Sequence, residues 1–105
     1  MEDDMSLKHF MVEIAYTVPV DVLIELLPKH RTFLQTGYDQ GILLMSGPQE
    51  PRTGGIIIAR AESMAALKDF FKNDPYQINH VATYRFVEFV PVKHQPWLSQ
   101  WVNQE

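Results

Sequence analysis

The feature that most constrains this chain is a pair of apolar segments around one polar turn. Ile42-Leu43-Leu44-Met45 and Ile56-Ile57-Ile58 flank a stretch from Ser46 to Gly55 that carries Gly47, Pro48, Pro51, Gly54 and Gly55. Glycine and proline at that density between apolar runs mark a hairpin with a loop of several residues. Neither segment alternates apolar with polar. A strand with one wet face alternates, whereas a strand apolar on both sides of the pleat is covered on both. The hairpin therefore belongs to a sheet that needs a layer on each side. The rest of the chain supplies one layer too few, which is the first argument for self-association.

A length of 105 residues fits one domain around one core. The formal net charge of −4 argues against a phosphate-backbone partner, so no nucleic acid is expected. With no cysteine there is neither a disulfide framework nor thiolate chemistry. No apolar run approaches the roughly 20 residues of a membrane span. Met1-Glu2-Asp3-Asp4-Met5 is acidic where a signal peptide is basic. Residues 1–7 thus read as a flexible leader of a cytoplasmic protein, residues 8–91 as the domain and residues 92–105 as an arm.

Lys8 to Thr17 reads as a strand, with Phe10, Val12, Ile14 and Tyr16 on one face by period two. From Val20 the apolar positions 20, 23, 24, 27 and 34 form a helical stripe that Pro28 interrupts. Proline within a helix costs about 3 kcal/mol, but almost nothing at the first helical position. The pattern predicts a short helix or turn over Val20–Leu27 and a main helix restarting at Pro28, with Gly37 or Gly41 as its stop. After the hairpin, Ser63 is a suitable N-cap for a second helix buried through Met64, Leu67, Phe70 and Phe71. Asn73-Asp74-Pro75 ends it. His80 to Val90 is the last strand, and the arm carries Trp97 and Trp101 at i, i+4 with Leu98 and Val102. Strand, helix, strand, strand, helix, strand is the split βαβ arrangement. With right-handed crossovers it makes an α+β, ferredoxin-like four-stranded antiparallel sheet with both helices on one face. A second copy across a two-fold axis would cover the bare face, making a homodimer.

His30 and Arg31 fall on the stripe where an apolar residue is expected, and a local rule broken in a regular pattern points to function or strain. If the helix restarts at Pro28, His30 comes near Asp74, Tyr76 and the Ser46-Gly47-Pro48 bend; an unbroken helix would weaken that convergence. A carboxylate beside a histidine fixes its tautomer and raises its basicity, leaving the outer nitrogen to move protons near neutral pH. Gly47 and Gly54 would let a ligand approach backbone N–H groups. Each residue also has a plainer reading. His30 can be a buried histidine bonded to a carbonyl, Asp74 a helix stop, and Arg31 a side chain reaching solvent past the stripe. Glu13 and Arg85, on neighbouring strands, read as a cross-strand ion pair. The histidines and Asp74 share no metal-ligand spacing, so no metal is expected.

Lys29-His30-Arg31-Thr32-Phe33-Leu34, Gly41 through Pro48, Gly54-Gly55 and Asn73-Asp74-Pro75-Tyr76, in this order and spacing, resemble the signatures of the YciI-like (YCII-related) family over residues 8–91. The resemblance implies a dimeric α/β barrel and a His-Asp active site, which by motif match is His30 and Asp74. It implies reactions without a cofactor, in which a proton is moved on a small ring compound. By the resemblance, the family includes a dehydrochlorinase acting on a chlorinated hydroxyquinol and shares its fold with muconolactone isomerases. The sequence departs from the family in Tyr76, often Phe, in His80, near a common Gly, and in its tryptophan-bearing tail. The expectation is a homodimeric enzyme performing elimination or isomerisation. His30 would be its acid or base and Asp74 would orient it, with Arg31, Ser46, Gly47, Pro48, Tyr76 and His80 holding the ligand. The alternatives are a non-catalytic small-molecule-binding module on the same barrel, with Arg31 as counter-ion, and an interaction domain docking through its tryptophan arm.

Overall fold

The computed structural model describes residues 6–104. The acidic stretch read as part of a leader, residues 1–5, lies outside the described residues. The chain forms β1 (Lys8–Tyr16), α1 (Val20–Asp39), β2 (Leu43–Pro48), β3 (Gly54–Ala61), α2 (Met64–Phe71), α3 (Pro75–Ile78) and β4 (Ala82–Phe89). A 3-10 turn at Pro96–Leu98 and α4 (Ser99–Asn103) follow. The four strands pair antiparallel in the order β2-β3-β1-β4. This is the ferredoxin-like α+β fold.

Phe10, Val12 and Ile14 of β1 are buried with Ile57 and Ala59 of β3, under Leu23 and Leu34 of α1 and Leu67 and Phe71 of α2. Complete burial of each large apolar side chain stabilises by about 1.5–3 kcal/mol. The other face of the sheet is thinly covered. Met45, Ile58, Met11 and Val87 stand opposite one another across all four strands on it, and Met45 remains 52% exposed. Glu13 and Arg85 share this face in register and are joined at 2.9 Å.

Contrary to the expected restart, α1 runs unbroken through Pro28. The proline removes the donor for the Ile24 carbonyl, but Ile24 and Pro28 both lie on the solvent side, where water can serve that carbonyl. The same orientation corrects the expected stripe, since Ile24 is 51% exposed. The buried face of α1 is Leu23, His30, Leu34 and Gly37. Gly37 is not the stop. A Cβ there would meet Leu43 and Phe70 at 2.8 Å, so its absence lets the helix press onto β2 and α2. The stop is Gly41, at φ +77°. Ile42 N–H donates to the Gly37 carbonyl at 2.8 Å and Gly41 N–H to that of Tyr38 at 3.0 Å, the Schellman pattern.

The segment after α2 also differs from expectation. The last strand begins at Ala82 rather than His80, because Pro75 starts α3. His80 sits in the following turn at φ 56°.

The arm folds back on the sheet. Arg60 donates from Nε to the Gly41 carbonyl at 2.8 Å and from Nη1 to that of Trp101 at 2.7 Å. Its guanidinium lies 4.9 Å from the Trp101 ring centroid, and that ring packs on His9 at 5.4 Å. Burial, and then the charge of Arg60, hold the His9 imidazole below its usual pKa, which favours a neutral ring under the tryptophan. Leu7 and Gln104 exchange two hydrogen bonds at 3.0 Å each. Trp97 stays 76% exposed.

Gly54 has a role other than ligand approach. A Cβ there would fall 1.9 Å from the Ile14 carbonyl oxygen, so β3 can lie against β1 only with glycine at this position. At Gly47 a Cβ would meet nothing within 4 Å. Gly54→Ala is therefore expected to cost about 1–3 kcal/mol by overpacking, and Gly47→Ala less than about 0.5 kcal/mol. Urea denaturation of both variants checks this, and equal midpoints would contradict the account.

Candidate functional site

His30 occupies a place on the buried face of α1 where a leucine would add about 2 kcal/mol of burial. What it meets instead is Asp74. The Nδ1 atom of His30 lies 2.8 Å from Asp74 Oδ1, and both residues are buried. Asp74 is fully buried between the end of α2 and the start of α3. As the N-cap of α3 it accepts from Tyr76 N–H at Oδ1, at 3.1 Å. Its second oxygen accepts from the Tyr84 hydroxyl of β4 at 2.5 Å. The plain reading of Asp74 as a helix stop is thus incomplete, since the same carboxylate also binds His30. The convergence does not need a helix restart at Pro28, because α3, packed against α1, carries Asp74 to His30.

The proton positions follow from the donors. A backbone N–H can only donate. Burial, and then the charge and hydrogen bond of Asp74, push the Tyr84 hydroxyl far above the ordinary phenol range, so it too donates. A carboxylate that accepts these two bonds is satisfied at Oδ1 when Nδ1 of His30 bears a proton as well. That assigns the other ring nitrogen, Nε2, as the free lone pair. The His30 ring is further fixed by stacking on Tyr76, at 3.9 Å between centroids and 7° between planes. The Tyr76 hydroxyl is pushed up to about 12, first by burial and then by Tyr16 and Asp74, with Arg52 and Arg31 opposing.

His30 lines a cavity of about 200 Å³ between α1 and the sheet. Its walls are apolar at Ile14, Leu27, Leu34 and Ile57 and polar at Tyr16, Ser46 and Tyr76. An apolar cavity of about 150 Å³ admits benzene, so one substituted ring is the size of ligand that fits. Arg31, Ser46, Gly47, Pro48 and Tyr76 all line this cavity. His80 does not. It is exposed, its N–H donates to the Gln77 carbonyl at 3.1 Å, and α3 carries it past the cavity. Gly55 rather than Gly54 reaches the wall. Ser46 is steadied by a 2.6 Å hydrogen bond to the Tyr38 hydroxyl.

Two participants escaped the sequence reading. Tyr84 is not among the expected site residues, because only the register of β4 brings its hydroxyl to Asp74. Arg52 is not among them either; a lone basic residue among the prolines and glycines of the hairpin loop is the one sequence signal for it. Among the described residues no group of three His, Cys, Asp or Glu side chains is placed to hold a metal ion, and no helix is long and apolar enough to cross a membrane.

Comparison with known proteins agrees with this architecture. The structure resembles 5-chloro-2-hydroxyhydroquinone dehydrochlorinase (TftG) from Burkholderia phenoliruptrix AC1100, solved in complex with 2,5-dihydroxybenzoquinone. The TM-score is 0.61 at 20% identity, covering 82% of this chain and 95% of that one, a likeness of fold. A variant of SnoaB, a cofactor-independent oxygenase from Streptomyces nogalater, matches with a TM-score of 0.49 at 11% identity over 86% of this chain and 97% of that one. No curated protein matches the sequence. The YCII-related domain matches residues 9–90, nearly the whole folded unit, and the chain belongs to that family.

Proposed function

We propose that this protein is a small-molecule enzyme that works without a cofactor and uses His30 and Asp74 to move a proton on a ring compound. The observation that carries the proposal is the buried pair itself. Asp74 is held by three donors and directs the His30 Nδ1–H, which leaves Nε2 free on a cavity the size of one substituted ring. In an elimination, Nε2 takes a proton from the carbon beside the leaving group. The C–H electron pair forms the new double bond, and the leaving group departs with its own pair. In an isomerisation the same proton is returned at another carbon. In this reading Ser46 and Gly47, which line the cavity, would face a developing oxyanion.

The test is turnover of a panel of halogenated hydroxyquinols and unsaturated lactones. General acid–base catalysis contributes about 10²–10⁴-fold, so His30→Ala should lose activity on that scale while its circular dichroism is unchanged. Asp74→Asn should also lose activity. Full turnover by a folded His30→Ala variant would sink the assigned role. Saturable binding across the panel with no product would favour a binding module instead.

The functional unit we propose is a homodimer formed through the open face of the sheet. The in-register row of Met45, Ile58, Met11 and Val87 supports it, because a contiguous apolar row is costly to leave in water. Placing glutamate at both Met11 and Ile58 should give a monomer in sedimentation equilibrium. A dimer that survives both charges would contradict this interface.

A further inference from the structure

The cavity has an electrostatic bias that the His30–Asp74 chemistry does not use. Its lining includes two arginines and no aspartate or glutamate, in a chain whose net charge is −4. The arginines come from different elements. Arg31 follows His30 on α1, and Arg52 projects from the loop between β2 and β3. That loop is tied down on both sides. Tyr16 N–H donates to the Thr53 carbonyl at 3.0 Å, Gln49 N–H to that of Gly54 at 2.7 Å and Thr53 N–H to that of Pro51 at 2.8 Å. Arg52 is therefore presented from an anchored position.

Both residues are exposed, and an exposed arginine is ordinarily no more than a solvated charge. Two further observations distinguish this pair. Both line the same cavity as Tyr76, and both charges act on its hydroxyl in the direction that favours a negative charge there. Although Tyr76 as a whole is only 2% exposed, its hydroxyl is not sealed off: it opens on the cavity and makes no hydrogen bond among the described residues. It is held protonated, so it is a donor awaiting an acceptor on the same wall as two cations.

We propose that Arg31, Arg52 and the Tyr76 hydroxyl form an anion subsite, and that the cavity selects a planar ring compound bearing a carboxylate or an ionised ring hydroxyl. A guanidinium suits a planar oxyanion because its fork of N–H donors matches two oxygen lone pairs. The anion lies at the mouth, between the arginines and Tyr76. The ring extends inward along Ile14, Leu34 and Ile57, under Nε2 of His30. Arg31 and Arg52 are specificity residues here, and the proton transfer remains with His30. The inference rests on the reading of this cavity as the ligand site.

The experiment compares benzoate, phenolate-forming 4-nitrophenol and neutral benzamide by titration into the full chain, followed by backbone NMR shifts. Benzoate should move signals of cavity residues and bind about tenfold more tightly than benzamide, the size of effect a charge-assisted hydrogen bond gives. Arg52→Gln and Arg31→Gln should each remove most of that preference and leave benzamide binding unchanged. Preference should shrink at high ionic strength. A stronger response to 4-nitrophenol above its own pKa than to benzoate would name the ionised hydroxyl as the preferred group. Equal affinity for benzoate and benzamide, shifts confined to other basic residues, or a preference that survives both substitutions would each overturn the proposal. His30→Gln separates the two readings. Anion preference retained in that variant, with no turnover in the natural protein, leaves the subsite standing and removes the enzyme. Turnover of carboxylate-bearing substrates with kcat/KM untouched by Arg52→Gln and Arg31→Gln does the reverse.

Discussion

The buried carboxylate of Asp74 is the constraint around which the rest of the site is arranged. A carboxylate removed from water is costly unless hydrogen bonds replace its hydration. Here each of three elements supplies one. Tyr76 N–H comes from α3, the Tyr84 hydroxyl from β4 and His30 from α1. None of the three elements can shift without leaving the carboxylate short of a partner, and removing one partner of a buried polar pair costs about 1–3 kcal/mol. The network therefore fixes how α1 and α3 sit over β4. It also fixes the His30 ring, which Tyr76 holds from its flat side by stacking. Positional accuracy and stability thus come from the same bonds, and the free nitrogen on the cavity is a by-product of satisfying Asp74.

The two faces of the sheet divide the work. One face, with Phe10, Val12, Ile14 and Ile57, supports the helices and closes the cavity from below. The other offers the Met45–Ile58–Met11–Val87 row and the Glu13–Arg85 pair. At one end of that second face the arm already lies down, with Trp101 over His9 and Arg60. The close approach of β3 to β1, which requires Gly54, sets the register that brings both faces into line.

Much of this was legible in the chain because periodicity is a local property. The hairpin, the β1 face, the Ser63 cap (which accepts from Ala66 N–H at 3.0 Å) and the strand order follow from patterns within short windows. The anomaly at His30 was legible for the same reason, as a polar residue on an apolar stripe. What local pattern did not reveal was how elements distant in sequence meet. Pro28 suggested a break, but whether a lost hydrogen bond matters depends on which side of the helix faces water. His80 resembled a site residue, yet the turn after α3 carries it into solvent. Tyr84 and Arg52 become participants only through the register of β4 and the anchoring of the hairpin loop. The tryptophan arm was visible as amphipathic, while the choice of Trp101 to pack and Trp97 to stay exposed depends on Arg60, which is 41 positions away.

Which nitrogen of His30 carries the proton decides whether the pair can act as a base. Long-range nitrogen–proton correlation NMR on protein labelled with nitrogen-15 reports it directly. The account predicts that neutral His30 is the Nδ1–H tautomer, with Nε2 bare toward the cavity, and that Asp74→Ala lets the other tautomer appear. A neutral His30 protonated at Nε2 in the natural protein would contradict the hydrogen-bond assignment and, with it, the role given to His30.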